Sequence, residues 1–226
     1  VEPDSRTEGI YAEEASYNFI NIGAVQPSTT TKPYYIQMGN FSGSVPDVSQ
    51  NKIVIGGATD DIVFGGGGIV ISGATEELQN FANRLKIPVT LTLMGLGGYP
   101  PDDPMRVSWI GMHGSYFANK AVHDSDLVIS IGARFDDRST GGVFEKFAPK
   151  AKVIHIDIDP SNINKNIKVH CPILGDAKAV IRQLLKRIPL NYKPDKNERQ
   201  SWFDKIKSWE RENPTIAIQK GKMIKT

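Results

Sequence analysis

From residue 53 onward, short apolar runs alternate with stretches whose apolar residues recur at helical spacing. The predicted strands cover residues 62–64, 88–93, 126–131, 153–158 and 172–174, and several of them stop at a glycine. Short, mostly apolar stretches of this length are typical of buried strands, and such strands are usually parallel and joined by helices. The alternation therefore predicts an α/β fold, with a parallel, Rossmann-like sheet of about five to six strands flanked by helices.

The segment after the first glycine run is predicted to form an amphipathic helix. Four apolar residues share one face of that helix: Leu78, Phe81, Ala82 and Leu85. Thr75 is the predicted N-cap, the acidic residues 76–77 favour a helix start, and Pro88 lies beyond its end. Further helices are predicted over residues 115–122 and 177–188.

The two ends of the chain differ from this central part in composition. Residues 1–52 are rich in Ser, Thr, Asn, Gln, Gly and Pro, and are predicted to be an irregular or linker-like segment. Two apolar stretches within it, residues 17–22 and 34–38, leave two interpretations open, namely paired strands or a linker lying along a neighbouring domain. We assign residues 53–190 to the α/β domain and residues 191–226 to a basic connecting helix and tail.

Composition and charge exclude several classes of protein. The 226 residues carry a formal net charge of +2 and include one cysteine, so a disulfide-stabilised scaffold and a thiolate zinc site are both excluded. No apolar run approaches the ~18 to 20 residues that a membrane span needs. Only the tail is basic, and its Trp202, Ile206 and Trp209 recur at helical spacing, which favours a solvated amphipathic helix over a contact with nucleic acid.

The residues that follow the predicted strands carry the candidate chemistry. In an open parallel sheet, ligands bind outside the carboxyl ends of the strands. Glycine lets the backbone approach a phosphate, arginine supplies a cation, and an aspartate at a strand end accepts hydrogen bonds from ribose hydroxyls. The residues in question are Gly66, Gly67, Gly68, Thr92, Leu93, Met94, Gly95, Gly132, Ala133, Arg134, Asp136, Asp137, Asp157, Asp159, Gly175 and Asp176. Because they share one edge of the sheet, they predict a nucleotide or dinucleotide site.

Taken singly, these residues also have simpler interpretations. The glycine run does not match the GxGxxG spacing and could be only a tight turn, and Arg134 with its neighbouring aspartates could be a surface ion-pair network. Among the histidines, His113 is the one candidate for contact with a ligand, whereas His155 is interpreted as a satisfied core or edge residue. Cys171 is interpreted as a small buried residue, and no pair of residues has the spacing of a metal site.

The order of these motifs resembles the central domain of acetohydroxyacid synthase, also called acetolactate synthase, in the family of thiamine-diphosphate-dependent enzymes. The resemblance rests on six stretches, which follow one another over residues 62–188: GGGIVISGA at 66–74, IPVTLTLMGLG at 87–97, IGMHG at 110–114, IGARFDDR at 131–138, HIDIDP at 155–160 and GDAK at 175–178. Residues 201–209 look like the connection to that family's third domain.

The resemblance implies an FAD site within this chain. The cofactor-binding residues that it assigns are Gly66, Gly67, Gly68, Thr92, Leu93, Met94, Gly111, Met112, His113, Gly132, Ala133, Arg134 and Asp136. For the adenosine half it assigns Asp157, Ile158, Asn162, Gly175, Asp176 and Ala177. Met112 and Arg138 match positions that face the acceptor 2-ketoacid in the family.

The resemblance also implies what must lie elsewhere. No catalytic residue and no metal ligand is expected in this chain, because thiamine diphosphate and Mg²⁺ are held by the N- and C-terminal domains of the complete enzyme. The isolated chain is expected to be inactive, and its partners would be those domains, a possible second copy and a regulatory subunit, with no nucleic acid and no membrane. The expected location is the cytoplasm, or the plastid of a plant or alga. Two alternatives stay open: the central domain of a pyruvate oxidase-like enzyme, and a noncatalytic nucleotide-binding module.

Overall fold

A computed structural model of the protein describes residues 60–188, 190–194 and 196–215, together with three strands nearer the N-terminus. Those strands, β1 (Phe19–Ala24), β2 (Pro33–Gly39) and β3 (Lys52–Gly56), pair in order as an antiparallel sheet. Of the two interpretations of the apolar stretches in this segment, strand pairing is the one that the structure supports. Residues 1–52 are therefore not irregular throughout.

A six-stranded parallel sheet forms the centre of the molecule. Its strands are β4 (Asp61–Gly65), β5 (Val89–Leu91), β6 (Arg106–Trp109), β7 (Leu127–Ile131), β8 (Lys152–Asp157) and β9 (Cys171–Leu174). They lie in the order β6-β5-β4-β7-β8-β9, and every neighbouring pair is parallel. The predicted fold class is confirmed. The sequence pattern missed β6, whose only fully buried residue is Val107.

In the part of the chain that the structure describes, six α-helices connect or cover the strands. They are α1 (Gly67–Ile71), α2 (Thr75–Leu85), α3 (Tyr116–Asp124), α4 (Asp137–Thr140), α5 (Ala177–Arg187) and α6 (Lys196–Glu212). The predicted capping role of Thr75 is wrong: Ala74 occupies the N-cap of α2 without a side-chain hydrogen bond, and Thr75 is the first helical residue. Ser115 and Asp176 do cap α3 and α5, each by accepting a hydrogen bond from a backbone N–H three residues ahead.

The sheet separates two apolar layers. Val63 and Ile129 point into the layer formed with α2 and α5, whereas Ile62, Phe64 and Val128 point into the layer on the opposite face. Helix α6 belongs to this second layer, because the side chains of Trp202 and Ile206 are only 1% exposed. The helix is therefore solvated on its polar face alone. The domain boundaries at residues 52 and 190 stay predictions.

Candidate functional site

A cavity of about 420 Å³ lies at the carboxyl ends of the central strands, and we call it the strand-end cavity. It is lined by residues that follow β4, β5, β7, β8 and β9, from separate parts of the chain. Its lining residues are Gly67, Gly68, Ile71, Ser72, Thr92, Met94, Gly132, Ala133, Arg134, Ile156, Asp157, Ile158, Asp159, Asn162, Gly175, Asp176 and Ala177. The structure thus brings together most of the cofactor-binding residues that the sequence predicted.

Glycine allows two backbone segments to touch at the floor of this cavity. The N–H of Gly66 donates to the Ile131 carbonyl at 2.9 Å, and the N–H of Gly68 donates to the Gly132 carbonyl at 3.0 Å. A Cβ added to Gly68 would lie 2.7 Å from the Cα of Gly132, and Gly132 itself has a φ of 60°. The glycines after β4 and β7 are therefore required by this close approach. Gly66 is buried beneath the cavity and does not line it.

The loop after β5 forms one wall of the strand-end cavity. Thr92 donates its N–H to the Gly65 carbonyl at 2.8 Å, and its hydroxyl accepts the N–H of Gly95 at 3.1 Å. The turn that Thr92 begins presents Leu93 and Met94 to the outside, and their side chains are 68% and 77% exposed. Met94 lines the cavity, whereas Leu93 does not.

Acidic side chains line the opposite side. Asp157, the last residue of β8, accepts the N–H of Asp159 at 2.9 Å and the Nδ2 of Asn162 at 3.3 Å, both through Oδ1. Burial by itself would raise the pKa of Asp157, but the nearby His155 imidazole and these two hydrogen bonds outweigh it and lower the pKa. The side chain is therefore an ionised carboxylate at neutral pH, able to accept further hydrogen bonds.

Arg134 is the one cationic side chain among the described lining residues of the cavity. Its side chain is 71% exposed and its Nε lies 3.3 Å from Oδ2 of Asp136. Asp136 does not line the cavity but caps α4, where its Oδ1 accepts both the N–H and the hydroxyl of Ser139. Burial would raise the pKa of Asp136, whereas the hydrogen bonds from Ser139 and Arg134 bring it below its usual value. Asp136 therefore restrains Arg134 at the rim of the cavity.

The remaining predicted residues lie apart from the strand-end cavity. Gly111 and Met112 line a second cavity of about 340 Å³, together with residues of α3 and of the segment 139–148. The N–H of Met112 donates to the Arg138 carbonyl at 2.8 Å, and a Cβ on Gly111 would lie 2.5 Å from that same oxygen. The two positions that the resemblance places at the acceptor are thus neighbours. His113 and Arg138 line neither cavity.

Sequence reasoning left out part of the cavity lining. Ile71 and Ser72 lie at the end of α1, and the Ile71 side chain is 89% exposed. Gly73 follows this helix with a φ of 62°. A glycine is common just after the end of a helix, so Gly73 is the sequence signal from which a short helix over residues 67–71 could have been predicted. Ile156 was also left out, whereas Asp159, which lines the cavity too, was among the strand-end residues predicted from the sequence.

Two further residues agree with their interpretation from the sequence as buried groups. The side chain of Cys171 is buried, and this burial raises the pKa of its thiol to about 12, so the thiol is unreactive at neutral pH. His155 is fully buried as interpreted, but it is satisfied only in part: its Nε2 lies 2.9 Å from the Ala133 carbonyl, whereas its Nδ1 has no hydrogen-bond partner among the described residues.

Within the described ranges, no three His, Cys, Asp or Glu side chains cluster as metal ligands would. None of the described helices has both the length and the apolar character needed to cross a membrane.

Comparison with known proteins identifies relatives over most of the chain. The family model for "Thiamine pyrophosphate enzyme, central domain" matches residues 54–184. The acetolactate synthase large subunit of Haemophilus influenzae is 46% identical over 152 residues, which is 67% of this chain and 26% of that protein. The probable acetolactate synthase large subunit of Methanocaldococcus jannaschii is 49% identical over 146 residues, which is 64% of this chain and 24% of that protein.

A longer match is found in Cyanidium caldarium. Its acetolactate synthase large subunit is 37% identical over 214 residues, which is 94% of this chain and 35% of that protein. The chain therefore spans about a quarter to a third of the length of the curated relatives it matches.

Proposed function

This chain belongs to the thiamine pyrophosphate enzyme family, whose central domain it contains, and we propose that the domain binds FAD, with the adenosine half in the strand-end cavity. The observation that carries the proposal is the lining of that cavity, because residues assigned to a cofactor by resemblance meet there from five separate strand ends. A volume of about 420 Å³ suits one half of a dinucleotide, within the range common for ligand sites.

The residues present fit the chemistry of a dinucleotide. The backbone contacts around Gly68 and Gly132 leave no room for side chains, so the cavity floor offers main-chain groups to a ligand. Both Asp157 and Arg134 line the cavity. Asp157 would accept hydrogen bonds from ribose hydroxyls, and Arg134 would donate to a phosphate. Gly66 would shape the cavity floor through its backbone contact with Ile131. The part of the cofactor outside the cavity would be served by Leu93, Gly111, Met112, His113 and Asp136. The resemblance implies that bound FAD supplies organisation of the site and no net redox chemistry.

We further propose that the complete protein is an acetolactate synthase, which condenses pyruvate with a second 2-ketoacid on thiamine diphosphate with Mg²⁺. The names of the relatives support the synthase over the pyruvate oxidase-like alternative. In this reaction Arg138 would pair with the carboxylate of the acceptor, while Met112, held to it by the backbone hydrogen bond, would pack against the acceptor's carbon chain. The proposed partners are the thiamine-binding domains, a second copy and a regulatory subunit, and the proposed location is the cytoplasm or a plastid.

The FAD site is tested by titrating the 226-residue chain with FAD while flavin fluorescence is recorded, with ADP as competitor. We expect saturable binding that ADP displaces and that Arg134→Ala weakens about tenfold, because a charge-assisted hydrogen bond is lost. Arg211→Ala, which removes an exposed arginine from the end of α6, serves as the charge-matched control. Absence of FAD and ADP binding by the folded chain would contradict the proposal for this domain.

The activity is tested separately in the complete protein. We expect acetolactate formation from pyruvate that requires thiamine diphosphate and Mg²⁺. Arg138→Ala should raise the KM for the acceptor by more than it lowers the rate of pyruvate decarboxylation. Flavin reduction by pyruvate in place of carboligation would favour the oxidase.

A further inference from the structure

His155 is a buried polar residue that neither the apolar core nor the cavity lining accounts for. It lies on β8, is 0% exposed, and packs edge-on against Phe135 with ring centroids 4.8 Å apart. Its Nε2 is 2.9 Å from the Ala133 carbonyl. A carbonyl oxygen can only accept a hydrogen bond, so Nε2 carries the proton.

The same nitrogen also faces the carboxylate of Asp157. Nε2 lies 3.6 Å from Oδ2 of Asp157, slightly beyond hydrogen-bond distance, so the N–H acts on this oxygen as a nearby dipole. Oδ1 of Asp157 is already held by Asp159 and Asn162. The imidazole therefore restrains the second oxygen of a carboxylate whose first oxygen is fixed.

Packing alone does not explain a histidine at this position. Within the described residues nothing hydrogen-bonds to its Nδ1, although that atom is buried. A buried acceptor without a partner is costly, and an apolar residue beside Phe135 would avoid that cost. Departures of this kind from the rules of core packing tend to occur at functional sites.

We propose that His155 is a positioning residue of the strand-end cavity, which ties the Ala133 backbone after β7 to the Asp157 carboxylate at the end of β8. Ala133 and Asp157 both line the cavity, and the buried imidazole contacts both of them through Nε2. It therefore fixes their positions relative to each other. The ligand group that depends on this coupling is a vicinal diol such as a ribose, which needs a carboxylate in a fixed orientation. The inference rests on the proposed nucleotide site.

The first test is calorimetric titration of the 226-residue chain with ADP. His155→Leu should weaken ADP binding about tenfold, because the carboxylate loses its orientation and Ala133 its donor. His155→Gln should restore most of the affinity, since the glutamine amide places an N–H near the position of Nε2. The control is His170→Leu: His170 accepts the Val153 N–H at the opposite end of the same sheet, and its loss should leave the Kd unchanged even where the melting temperature falls.

A double-mutant cycle separates positioning from a merely structural role. If His155 acts through Asp157, Asp157→Asn should weaken ADP binding strongly in the wild-type background and only slightly in His155→Leu. Additive losses of affinity, or a wild-type Kd in folded His155→Leu, would overturn the inference.

A ligand-free measurement keeps this test independent of the proposed function. Titration of the Asp157 carboxyl carbon by ¹³C NMR should give a higher pKa in His155→Leu than in the wild type or in His155→Gln, because the N–H dipole is lost. An unchanged titration would overturn the inference. Failure of the wild type to bind ADP, with the shifted titration present, would count against the proposed function alone.

Discussion

The two ends of the central sheet differ in whether their polar groups are paired within the chain. At the amino end, Asp61 opens β4 and is 2% exposed, and it forms an ion pair with Arg199 of α6. Trp202 of the same helix donates its Nε1–H to the Asp61 carbonyl at 3.0 Å. At the carboxyl end, the same strand runs into a glycine turn beside an open cavity. The amino end is closed by partners within the chain, whereas the carboxyl end leaves polar groups available to a ligand.

Apolar side chains show the same contrast. Helix α6 buries Trp202 and Ile206 against the amino half of the sheet. Around the carboxyl end, Met94 and Ile158 are 77% and 69% exposed although both line the cavity. Exposed apolar groups beside a cavity are typical of surfaces that a ligand or another domain covers. Substitutions at the amino end should therefore change stability, and those at the carboxyl end should change binding.

The largest expected effect is at the amino end. Above about pH 7, where Asp61 is ionised, Arg199→Ala should lower the free energy of unfolding by about 3–5 kcal/mol, because it leaves the Asp61 carboxylate buried without its cation. Denaturant titration measures this change, with Arg211→Ala as the control. The FAD affinity of the folded fraction should be unchanged. A loss of affinity would contradict the view that the amino end affects stability and the carboxyl end affects binding.

The pH dependence of stability should also come from the amino end. Burial raises the pKa of Asp61 to about 7, although Arg199 lowers it in part. An unfolded aspartate titrates near ~4, so between about pH 4 and 7 the folded state holds a proton that the unfolded state has released. This group therefore stabilises the fold fully below about pH 4, and the stabilisation falls by up to about 1.4 kcal/mol per pH unit as the pH rises to about 7.

Asp61→Asn isolates this contribution from those of other carboxylates. Asp103 and Asp136 have lowered pKa values because their hydrogen bonds outweigh burial, and they act in the opposite direction with pH. The difference in unfolding free energy between wild type and Asp61→Asn should therefore change with pH between about 4 and 7. A constant difference across that range would show that Asp61 does not titrate there.

A smaller effect on stability is expected at the glycine floor of the cavity. Gly68→Ala places a Cβ 2.7 Å from the Cα of Gly132, so the backbone must shift, at a cost of about 1–3 kcal/mol. FAD binding should be lost or greatly weakened, because this contact shapes the cavity. Gly142→Ala, where an added Cβ meets no atom within 4 Å, should leave both quantities nearly unchanged. Normal FAD affinity in Gly68→Ala would show that the close contact between Gly68 and Gly132 is not needed for FAD binding.

The smallest effect on stability is expected at the exposed apolar rim. Met94→Ala should change the unfolding free energy by less than about 0.5 kcal/mol, since the side chain is largely in solvent. FAD affinity should nevertheless fall several-fold, because the ligand would bury that side chain. Leu190→Ala, at an exposed apolar residue that does not line the cavity, should leave affinity unchanged. Equal affinities of the two variants would exclude Met94 from the cofactor contact.

The sequence predicted five of the six strands of the parallel sheet, including the edge strand β9, and missed β6 at the other edge. In β4 and β7 every residue is buried and apolar residues predominate, so each is recognisable as a buried strand in the sequence. Strand β6 lies at the edge of the sheet, where Val107 alone is fully buried and Ser108 has a φ of 39°, so no apolar run marks it. The place of β6 is set by its pairing with β5, which the local sequence pattern does not encode.

The candidate site was predictable where topology alone decides position. Residues just after parallel strands must meet at one edge, so Gly68, Gly132, Asp157 and Gly175 could be placed together before any contact was known. The separation of Gly111 and Met112 into a second cavity was not predictable. It depends on a hydrogen bond between Met112 and Arg138, and no local pattern links those two segments.

The sequence by itself determined the α/β class, the parallel sheet and the edge that holds the candidate site, because apolar runs, glycines and helical periodicity are local properties of the chain. Only the tertiary structure decided that α6 closes the amino end and that His155 links Ala133 to Asp157. The Asp61–Arg199 pair joins residues 138 positions apart. The partner of a buried polar group is set by how distant segments pack, and that packing is a property of the whole fold.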